Sequence, residues 1–334
     1  MNNITENIKN KIGRNLHLVE SHPLCITKNL IYQNFQDFEI FETLRPEVSV
    51  AQNFDDLLIP INHPSRSSSD TYYLNENTVL RTHTSAHQSE LLKCGCKKFL
   101  VCGDVYRRDE VDSTHYPVFH QIEGVCLCEN PVSELKSKLS AMVEKIFSGA
   151  EYKFVDSYFP FTQPSFELEV MFNGKWLEVL GCGKIHEKIL KSCGVEKEGY
   201  AFGLGLERLA MVLFDIPDIR YFWTEDQRFL SQFESREVKK FEPYSKYPVC
   251  FKDIAFWISE EYNPNDFYSV AREVGGDLIE SIELLDTYRR EERTSHCYRI
   301  NYRSMDKNLT NEEVDRIQEE LRYKVSNVIN GELR

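Results

Sequence analysis

The fold is decided by two neighbouring stretches, Gly103-Asp104-Val105-Tyr106-Arg107-Arg108-Asp109 and Phe119-His120-Gln121-Ile122-Glu123-Gly124. Each is rich in apolar and aromatic residues, as is typical of a β-strand. They predict a strand that ends in paired arginines, a loop through Asp112 and His115, and a second strand that returns. A guanidinium at such a tip can grip a phosphate through two oxygens. Paired surface arginines are more often only solvated, so this pattern by itself leaves both interpretations open.

Two further segments carry candidate chemistry. The run Ala201-Phe202-Gly203-Leu204-Gly205-Leu206-Glu207-Arg208 lacks the third glycine of a dinucleotide fingerprint. Its two glycines allow a ligand to approach the backbone, with Arg208 one turn into a helix; the alternative is a tight strand-to-helix turn. Glu178 is a lone acid on an apolar strand, which is costly to bury unless it is paired or bound to a metal. The alternative for Glu178 is an outward-facing, solvated side chain.

Periodicity along the rest of the chain predicts an α+β protein. Helices are predicted at 4–12, 23–35, from Thr84 or Ser85 to about 93–95, 131–147 and 205–213. Strands are predicted at 99–102, 105–108, 119–126, 151–156, 166–172 and 176–181. A β-α-β-β-α order follows at 249–258, 266–274, 278–286, 296–303 and 311–329. That order is the split βαβ pattern of ferredoxin-like domains, with a last edge strand missing or misread. We therefore expect one domain at 1–233 with a helical lead-in at 1–35, a linker at 234–247, and a second domain at 248–334.

Composition excludes several classes of protein. The net charge is −13, so any bound polyanion must be met by local clusters of Arg and Lys rather than by a basic surface as a whole. No apolar run approaches the length of about 18 residues that a membrane span needs. The ten cysteines are too sparse for a disulfide scaffold and indicate reduced thiols. Cys94/Cys96 and Cys126/Cys128 are CxC pairs rather than the CxxC pairs of zinc ribbons, which disfavours zinc.

Several blocks in one order resemble a known family. Arg107, the Gly-x-Gly-x-Glu-Arg run ending at Arg208, and the segment from Asn53 to Thr71 look like the three signature motifs of class II aminoacyl-tRNA synthetases. The specific resemblance is to phenylalanyl-tRNA synthetases, and it rests on the blocks Arg81–Ser85, Phe119–Gly124, Phe159–Thr162 and Ala201–Gly205. The C-terminal part resembles the anticodon-binding domain of the single-chain mitochondrial form, through Tyr247-Pro248, Asp253–Trp257, Asn265–Tyr268 and Thr294–Arg299. The resemblance implies a class II antiparallel sheet flanked by helices, followed by a ferredoxin-like domain.

The resemblance implies ATP as a substrate and a set of residues that hold it. Arg107 would bind the α-phosphate, Arg208 the γ-phosphate of a bent ATP, and His115 the β- and γ-phosphates, which gives these three the catalytic roles. Glu178 would hold Mg²⁺, a hard cation that prefers oxygen ligands. Asp109 would read the adenine amino group and Phe119 would stack on the adenine.

The amino-acid pocket is implied in the same way. His83, Ser85, Gln121 and Glu123 resemble the binders of the substrate's α-amino and carboxylate groups. Phe159 and Phe161 lie two apart on an extended segment and project the same way, so they could meet a benzyl ring; both in a core is the alternative. Ala201 and Gly203 would complete the pocket, and in this family the position of Ala201 limits side-chain size.

The expected tRNA contacts lie in the C-terminal domain. Residues 241–334 carry 13 Lys and Arg against 19 Asp and Glu, so RNA must be met by a local cluster. The one dense basic cluster consists of Arg289, Arg290, Arg293, Arg299 and Arg303. With Tyr288, Tyr298 and Tyr302 it would contact the anticodon stem-loop by charge and stacking. A solvated hairpin rim paired with Glu291 and Glu292 is nearly as well supported.

The resemblance implies a monomeric phenylalanine–tRNA ligase that needs no β subunit or membrane. Its substrates would be L-phenylalanine, ATP and tRNA(Phe). The rivals are a class II enzyme that activates another amino acid, a non-catalytic RNA-binding paralogue, and an α-type subunit that needs a β partner. The resemblance implies the mitochondrial matrix, although no presequence is visible, and a cytoplasmic location is the alternative.

Overall fold

The computed structural model describes residues 2–244 and 247–334. The N-terminal domain contains strands β1 Glu39–Phe41, β2 Glu47–Ser49, β3 Tyr73–Asn75, β4 Thr78–Leu80, β5 Lys98–Tyr106, β6 Val118–Leu127, β7 Tyr152–Phe159, β8 Thr162–Phe172, β9 Lys175–Ile185 and β10 Gly199–Gly205. Its helices are α1 Glu6–Lys9, α2 Pro23–Tyr32, α3 Val50–Asn53, α4 Gln88–Lys93, α5 Pro131–Ile146, α6 Glu187–Ser192, α7 Leu206–Phe214 and α8 Gln227–Leu230. The expected helix at 4–12 is therefore much shorter, and the one expected to start at Thr84 or Ser85 opens with a 3₁₀ turn.

Seven strands form the central sheet, in the order β1-β5-β6-β10-β9-β8-β7. Only β1 pairs in parallel, and all the other neighbours are antiparallel. The two strands expected at 99–102 and 105–108 are one strand, because Gly103 continues the pairing with β6. Only glycine fits there, since a Cβ on Gly103 would lie 2.1 Å from a guanidinium nitrogen of Arg81. Arg107 and Arg108 lie beyond the end of this strand.

The sheet has a packed layer on each face. Helices α2, α5 and α7 cover one face and form the largest apolar core, which includes Leu135, Leu139 and Leu209. The second face packs on α4 and α6 through Leu91 and Ile189. The candidate site lies on this second face, beside the smaller core. The expected α+β class, with an antiparallel sheet flanked by helices, is confirmed.

The C-terminal domain is a four-stranded sheet with helices on one face. It contains β11 Cys250–Ile258, α9 Pro264–Gly275, β12 Ile279–Arg290, β13 Arg293–Tyr302, α10 Asn311–Val328 and β14 Glu332–Leu333. The strand order is β12-β13-β11-β14, so the expected β-α-β-β-α order is found and the short edge strand is β14. Inward-facing residues such as Ile254, Phe256 and Ile300 pack under the two helices. The opposite face of the sheet is open.

The two domains contact each other through the loop that follows Arg107. The hydroxyl of Tyr116 donates to Asp277 at 2.7 Å, and the backbone N–H of Ile282 donates to the carbonyl of Val111 at 2.8 Å. The chain before the second domain also packs on the first, since Phe241 is buried and its N–H donates to the carbonyl of Phe214. In the described part of the chain, no helix is both long and apolar enough to cross a membrane.

Candidate active site

A cavity of about 650 Å³ opens beside the central sheet. All eight residues expected to hold the amino acid line it, namely His83, Ser85, Gln121, Glu123, Phe159, Phe161, Ala201 and Gly203. Three of the residues expected to hold ATP also line it, namely Arg107, Asp109 and Glu178. The structure therefore brings together side chains that lie as far as 120 positions apart in the sequence.

Strand pairing explains why the residues of β6 and β10 meet. Gly203 lies opposite Glu123 and Gly205 opposite Gln121, so alternate residues of both strands face the same side of the sheet. A Cβ built on Gly203 would meet nothing within 4 Å, because this position faces open cavity. The intervening residues Ile122 and Leu204 pack into the core on the opposite face.

One end of the cavity holds a buried acidic side chain, Glu123, that pairs with no cation in the part of the chain that the structure describes. Glu123 is 3% exposed and accepts a hydrogen bond from the hydroxyl of Ser85. Burial raises the pKa of Glu123 to about 8. Beside it, burial lowers the pKa of His83 to about 3, which keeps that ring neutral. A ligand that brings an ammonium group to this point would supply the counter-charge that Glu123 lacks.

The apolar part of the cavity is built by the turn between β7 and β8. The rings of Phe159 and Phe161 are nearly parallel, with centroids 5.7 Å apart and planes 12° apart. Gly181 of β9 lies against them, and a Cβ there would approach the ring of Phe159 to 2.8 Å. The ring positions thus depend on the absence of a side chain at this position of β9. Two aromatic rings beside a small Ala201 suit a flat apolar group.

The opposite end of the cavity holds a cation without a carboxylate. The Nε of Arg107 donates to the carbonyl of Thr82 at 2.7 Å, and its guanidinium lies 5.1 Å from the ring centroid of Phe119. Burial lowers the pKa of Arg107. In residues 2–244 and 247–334, no carboxylate oxygen lies within 4.0 Å of its nitrogens, whereas its neighbour Arg108 pairs with Asp266. An anion at this end would complete the site.

Arg208 and Phe119 stand just outside the cavity lining. An Nη of Arg208 lies 3.3 Å from the carbonyl oxygen and 3.5 Å from the carboxylate of Glu178. Both side chains of that pair are about half exposed, so each remains accessible to a ligand. Phe119 reaches the cavity through its contact with Arg107.

His115 is not brought to the cavity. Its Nδ1 lies 2.8 Å from a carboxylate oxygen of Asp112, and this hydrogen bond raises the pKa of His115. Its carbonyl accepts from Arg272 of the C-terminal domain at 3.2 Å. The ring thus points to a neighbouring acid and does not line the cavity, and the expected contact of His115 with phosphates stays a prediction.

The cavity also contains a residue that the sequence interpretation did not assign to it. Asn265, from the start of α9 in the C-terminal domain, lines the wall beside Asp70, Arg108 and Asp109. No local sequence signal marks Asn265 as a cavity residue, because its position depends on how the two domains pack.

The basic residues of the C-terminal domain do not form the single cluster that we expected. Arg289 and Arg290 lie at the tip of the β12–β13 hairpin, whereas Arg303 follows the far end of β13 and pairs with Glu280 at 3.3 Å. The ten residues of β13 span roughly 30 Å. The expectation for Tyr298 and Tyr302 was wrong, since their rings are 1% and 0% exposed in the domain core.

A different set of aromatic residues lies on the open face of this sheet. Phe251, Trp257 and Tyr288 occupy outward positions, and each is covered by an arginine, with guanidinium-to-centroid distances of 4.4, 4.5 and 4.6 Å. The arginines are Arg299 on Phe251, Arg293 on Trp257 and Arg334 on Tyr288. We call Phe251, Trp257 and Tyr288 the aromatic face. Arg299 also makes two hydrogen bonds of 2.9 Å to Asp253.

Glu178 could contribute one ligand to a metal ion, but not a complete protein site. Among the described residues, the clusters of three possible ligands are Cys126, Cys128, Glu134 and Glu110, Asp112, His115, and neither includes Glu178. Mg²⁺ is commonly held by one or two carboxylates together with substrate phosphates and water. A half-exposed carboxylate at the cavity wall fits that pattern. The Cys126/Cys128 cluster fits a metal poorly, because burial raises the pKa of Cys128 to about 12.

Comparison with known proteins accounts for both domains. Residues 5–233 match the profile of the tRNA synthetases class II core domain (F), and residues 245–334 match that of the ferredoxin-fold anticodon binding domain. The chain is 52% identical to the chloroplastic/mitochondrial phenylalanine–tRNA ligase of Arabidopsis thaliana, covering 100% of this chain and 83% of that protein. It is 44% identical to the mitochondrial phenylalanine–tRNA ligase of Dictyostelium discoideum (99% and 89% covered). It is 46% identical to that of Mus musculus (95% and 82% covered).

Proposed function

The chain belongs to the phenylalanine–tRNA ligase family, with both the class II core and the anticodon-binding domain on one chain, and we propose how its cavity performs the ligase reaction. Family membership confirms the expected fold and the ligase activity. The substrates are phenylalanine, ATP and tRNA. The residue roles below are supported by the geometry of the cavity.

The observation that carries the proposal is that one cavity holds a buried acid and a partly buried base, neither of which pairs with a group of opposite charge among the described residues. Among residues 2–244 and 247–334, no cation pairs with Glu123 at one end and no carboxylate oxygen lies within 4.0 Å of Arg107 at the other. An amino acid brings an ammonium group and a carboxylate, and ATP brings phosphates. The ammonium group would pair with Glu123, near Ser85 and Gln121, while the benzyl ring would enter the space between Phe159, Phe161 and Ala201. The carboxylate would then point toward Arg107.

In the first step, the substrate carboxylate attacks the α-phosphorus and diphosphate leaves. Both reactants are anionic, so a fixed cation that neutralises them lowers the barrier and holds them in line. Arg107 would grip α-phosphate oxygens, since its own hydrogen bond to Thr82 holds the guanidinium in place. Arg208 would leave its weak contact with Glu178 and bind the γ-phosphate at the far end of ATP. Glu178, so freed, would offer its carboxylate to Mg²⁺, which supplies charge neutralisation when it is bound with ATP.

In the second step, a ribose hydroxyl of the tRNA attacks the activated carbonyl and AMP leaves. The tRNA must therefore reach the same cavity while its anticodon contacts the C-terminal domain. We infer that unpaired bases stack on the aromatic face together with the guanidinium planes that cover its rings, and that Arg289 and Arg290 contact the RNA backbone. Single-stranded bases stacked on exposed rings are the usual targets of sequence-specific RNA recognition.

Selection of phenylalanine would rest on shape. The ring-binding part of the cavity is formed by Phe159, Phe161, Ala201 and the glycines of β9 and β10. An apolar pocket rejects an added hydroxyl by only about 100-fold, so we expect measurable misactivation of tyrosine. We also propose that the chain acts as a monomer in the mitochondrion, as the names of its relatives suggest for the location.

The experiment is ATP–diphosphate exchange by the purified chain alone, with a panel of amino acids. We expect exchange that depends on phenylalanine, needs no second subunit and falls at least about 100-fold in Arg107→Ala. Charging of mitochondrial and cytosolic tRNA with labelled phenylalanine then tests the second step. Exchange driven by another amino acid favours the related enzyme, no exchange favours the RNA-binding paralogue, and recovery on adding a β subunit favours the α-type subunit.

A further inference from the structure

We propose that Asn265, a residue of the tRNA-binding domain, is a positioning residue for ATP in the adenylate-forming cavity. This inference rests on the proposed function of that cavity. It assigns to the C-terminal domain a part in the first step, in which tRNA takes no part.

The contacts of Asn265 link three pieces of chain. Its Nδ2 donates to a carboxylate oxygen of Asp70 at 2.9 Å and to the carbonyl of Arg108 at 3.3 Å. Asp70 in turn accepts the backbone N–H of Arg108 on its own carbonyl at 2.9 Å. The amide of Asn265 therefore closes a ring of hydrogen bonds between α9, the Ser68–Asp70 segment and the chain that leaves Arg107.

The next residue of α9, Asp266, contacts the same segments of the N-terminal domain. One carboxylate oxygen of Asp266 lies 3.0 Å from an Nη of Arg108, and the other accepts from the hydroxyl of Ser69 at 3.1 Å. That guanidinium also donates to the carbonyl of Ser68 at 2.5 Å. Arg108 is thus held on both its backbone and its side chain by adjacent residues of the other domain.

The effect of these hydrogen bonds follows from where they lie relative to Arg107 and Asp109. The carbonyl that Asn265 holds belongs to the peptide unit joining Arg108 to Asp109, so the hydrogen bond fixes the plane of that unit. Arg107 precedes this peptide and Asp109 follows it, and both line the cavity. Arg107 is the proposed α-phosphate ligand and Asp109 the proposed adenine contact. Loss of the hydrogen bonds should therefore weaken ATP binding and leave the phenylalanine end, built on β6, β9 and β10, unchanged.

The test is phenylalanine-dependent ATP–diphosphate exchange by the full chain without tRNA. Asn265→Ala should raise the KM for ATP about fivefold to tenfold and leave the KM for phenylalanine within about twofold. The matched control is Asp277→Ala, which removes another hydrogen bond between the domains, to Tyr116, at a residue that does not line the cavity. This control should leave both KM values near those of the wild type.

A swap of the two partners gives a second readout. Asn265→Asp should impair exchange more than Asn265→Ala, because a second carboxylate would face Asp70 and the carbonyl of Arg108. Adding Asp70→Asn to Asn265→Asp returns a donor and an acceptor to that contact. The double variant should therefore recover part of the ATP affinity, relative to both single variants.

The outcomes separate this inference from the proposed function. If the wild type shows no phenylalanine-dependent exchange, the proposed function fails. If the wild type is active and Asn265→Ala matches it in both KM values, the positioning role is overturned. It is equally overturned if Asp277→Ala raises the KM for ATP as much as Asn265→Ala does, since domain docking alone would then explain the effect.

Discussion

Two hydrogen bonds join Glu207 of α7 to His120 of β6, beside the ATP side of the cavity. One carboxylate oxygen of Glu207 accepts the backbone N–H of His120 at 2.8 Å, and the other lies 2.7 Å from its ring Nδ1. Both side chains are almost fully buried. Strand β10 ends opposite Gln121, so Glu207 supplies the acceptor that the N–H of His120, the residue before Gln121, would otherwise lack. The pair ties the strand that carries Phe119 to the helix that carries Arg208.

Removing this carboxylate should affect both the stability of the protein and its use of ATP. Glu207→Ala leaves two buried donors without an acceptor, at a cost of about 1–3 kcal/mol. We expect a melting temperature lower by about 2–10 °C and a KM for ATP that rises more than the KM for phenylalanine. Glu207→Gln keeps one acceptor oxygen and should lie between the wild type and Glu207→Ala. An alanine variant with normal ATP affinity at a temperature where it is folded would show that the pair does not position Arg208.

The raised pKa of Glu123 predicts how phenylalanine use depends on pH. Burial raises the pKa of this group to about 8, so the free enzyme holds it largely protonated at neutral pH. Only the carboxylate can pair with the substrate ammonium group. The kcat/KM for phenylalanine should therefore rise between about pH 6 and about pH 9 with an apparent pKa near 8. The kcat/KM for ATP, measured at saturating phenylalanine, should depend less on pH.

Glu123→Gln provides the control for this assignment. The variant should lose the rise in kcat/KM for phenylalanine with pH, because glutamine does not titrate. It should also change stability with a defined sign. The folded protein holds the proton up to a pKa of about 8, above the ordinary value of 4.5, so the wild type loses stability from this group as pH rises through that window. The melting temperature of Glu123→Gln relative to the wild type should therefore increase from about pH 5 to about pH 8.

The sequence predicted the site better than the packing around it. The strand pattern and the family resemblance grouped Glu123, Ala201 and Phe159, and the structure brings them to one cavity because neighbouring strands bring alternate residues to one face. His115 was expected beside the phosphates, yet its position depends on an acid three residues earlier and on the other domain. Such contacts between distant segments leave no local pattern, which also explains why Asn265 was not assigned.

The tyrosines of β13 show a second limit of sequence interpretation. Tyr298 and Tyr302 stand among arginines in the sequence, which suggested a stacking surface. Alternation along β13 instead points both rings under α9 and α10, while Arg299 faces outward. Which side of an amphipathic strand is covered depends on the placement of the helices. The partners on the open face, Phe251 and Trp257, come from β11 and could be grouped only once the register was known.

The shape of the amino-acid pocket is tested by adding one methyl group. Gly181→Ala would place a Cβ 2.8 and 3.0 Å from ring atoms of Phe159, which forces that ring to move. We expect the KM for phenylalanine to rise about tenfold while the KM for ATP stays unchanged. Because Phe159→Leu gives the methyl group room, Gly181→Ala should raise the KM for phenylalanine less in the Phe159→Leu background than in the wild type. Equal KM values for Gly181→Ala and the wild type would contradict the role of Phe159.

The proposed RNA contacts are tested by substitutions on the open face of the C-terminal sheet. Stacking of one base on an aromatic ring contributes about 1–3 kcal/mol. Trp257→Ala and Tyr288→Ala should therefore each raise the KM for tRNA at least about fivefold. The double variant Arg289→Glu/Arg290→Glu, which reverses two charges, should raise the KM for tRNA further. This effect should become smaller as the salt concentration increases. The measurements are aminoacylation at several tRNA concentrations and tRNA-free diphosphate exchange, which should not change.

Tyr323 provides a matched control for the aromatic face. It is exposed, as Tyr288 is, but it lies on α10, which covers the opposite side of the sheet. Tyr323→Ala should leave the KM for tRNA unchanged if the aromatic face is the surface that meets the anticodon. If Tyr323→Ala weakens tRNA use as much as Tyr288→Ala does, the helical side of the domain takes part as well. If exchange falls together with aminoacylation in the Trp257 or Tyr288 variants, their effect lies in folding, because neither residue is among those that line the cavity.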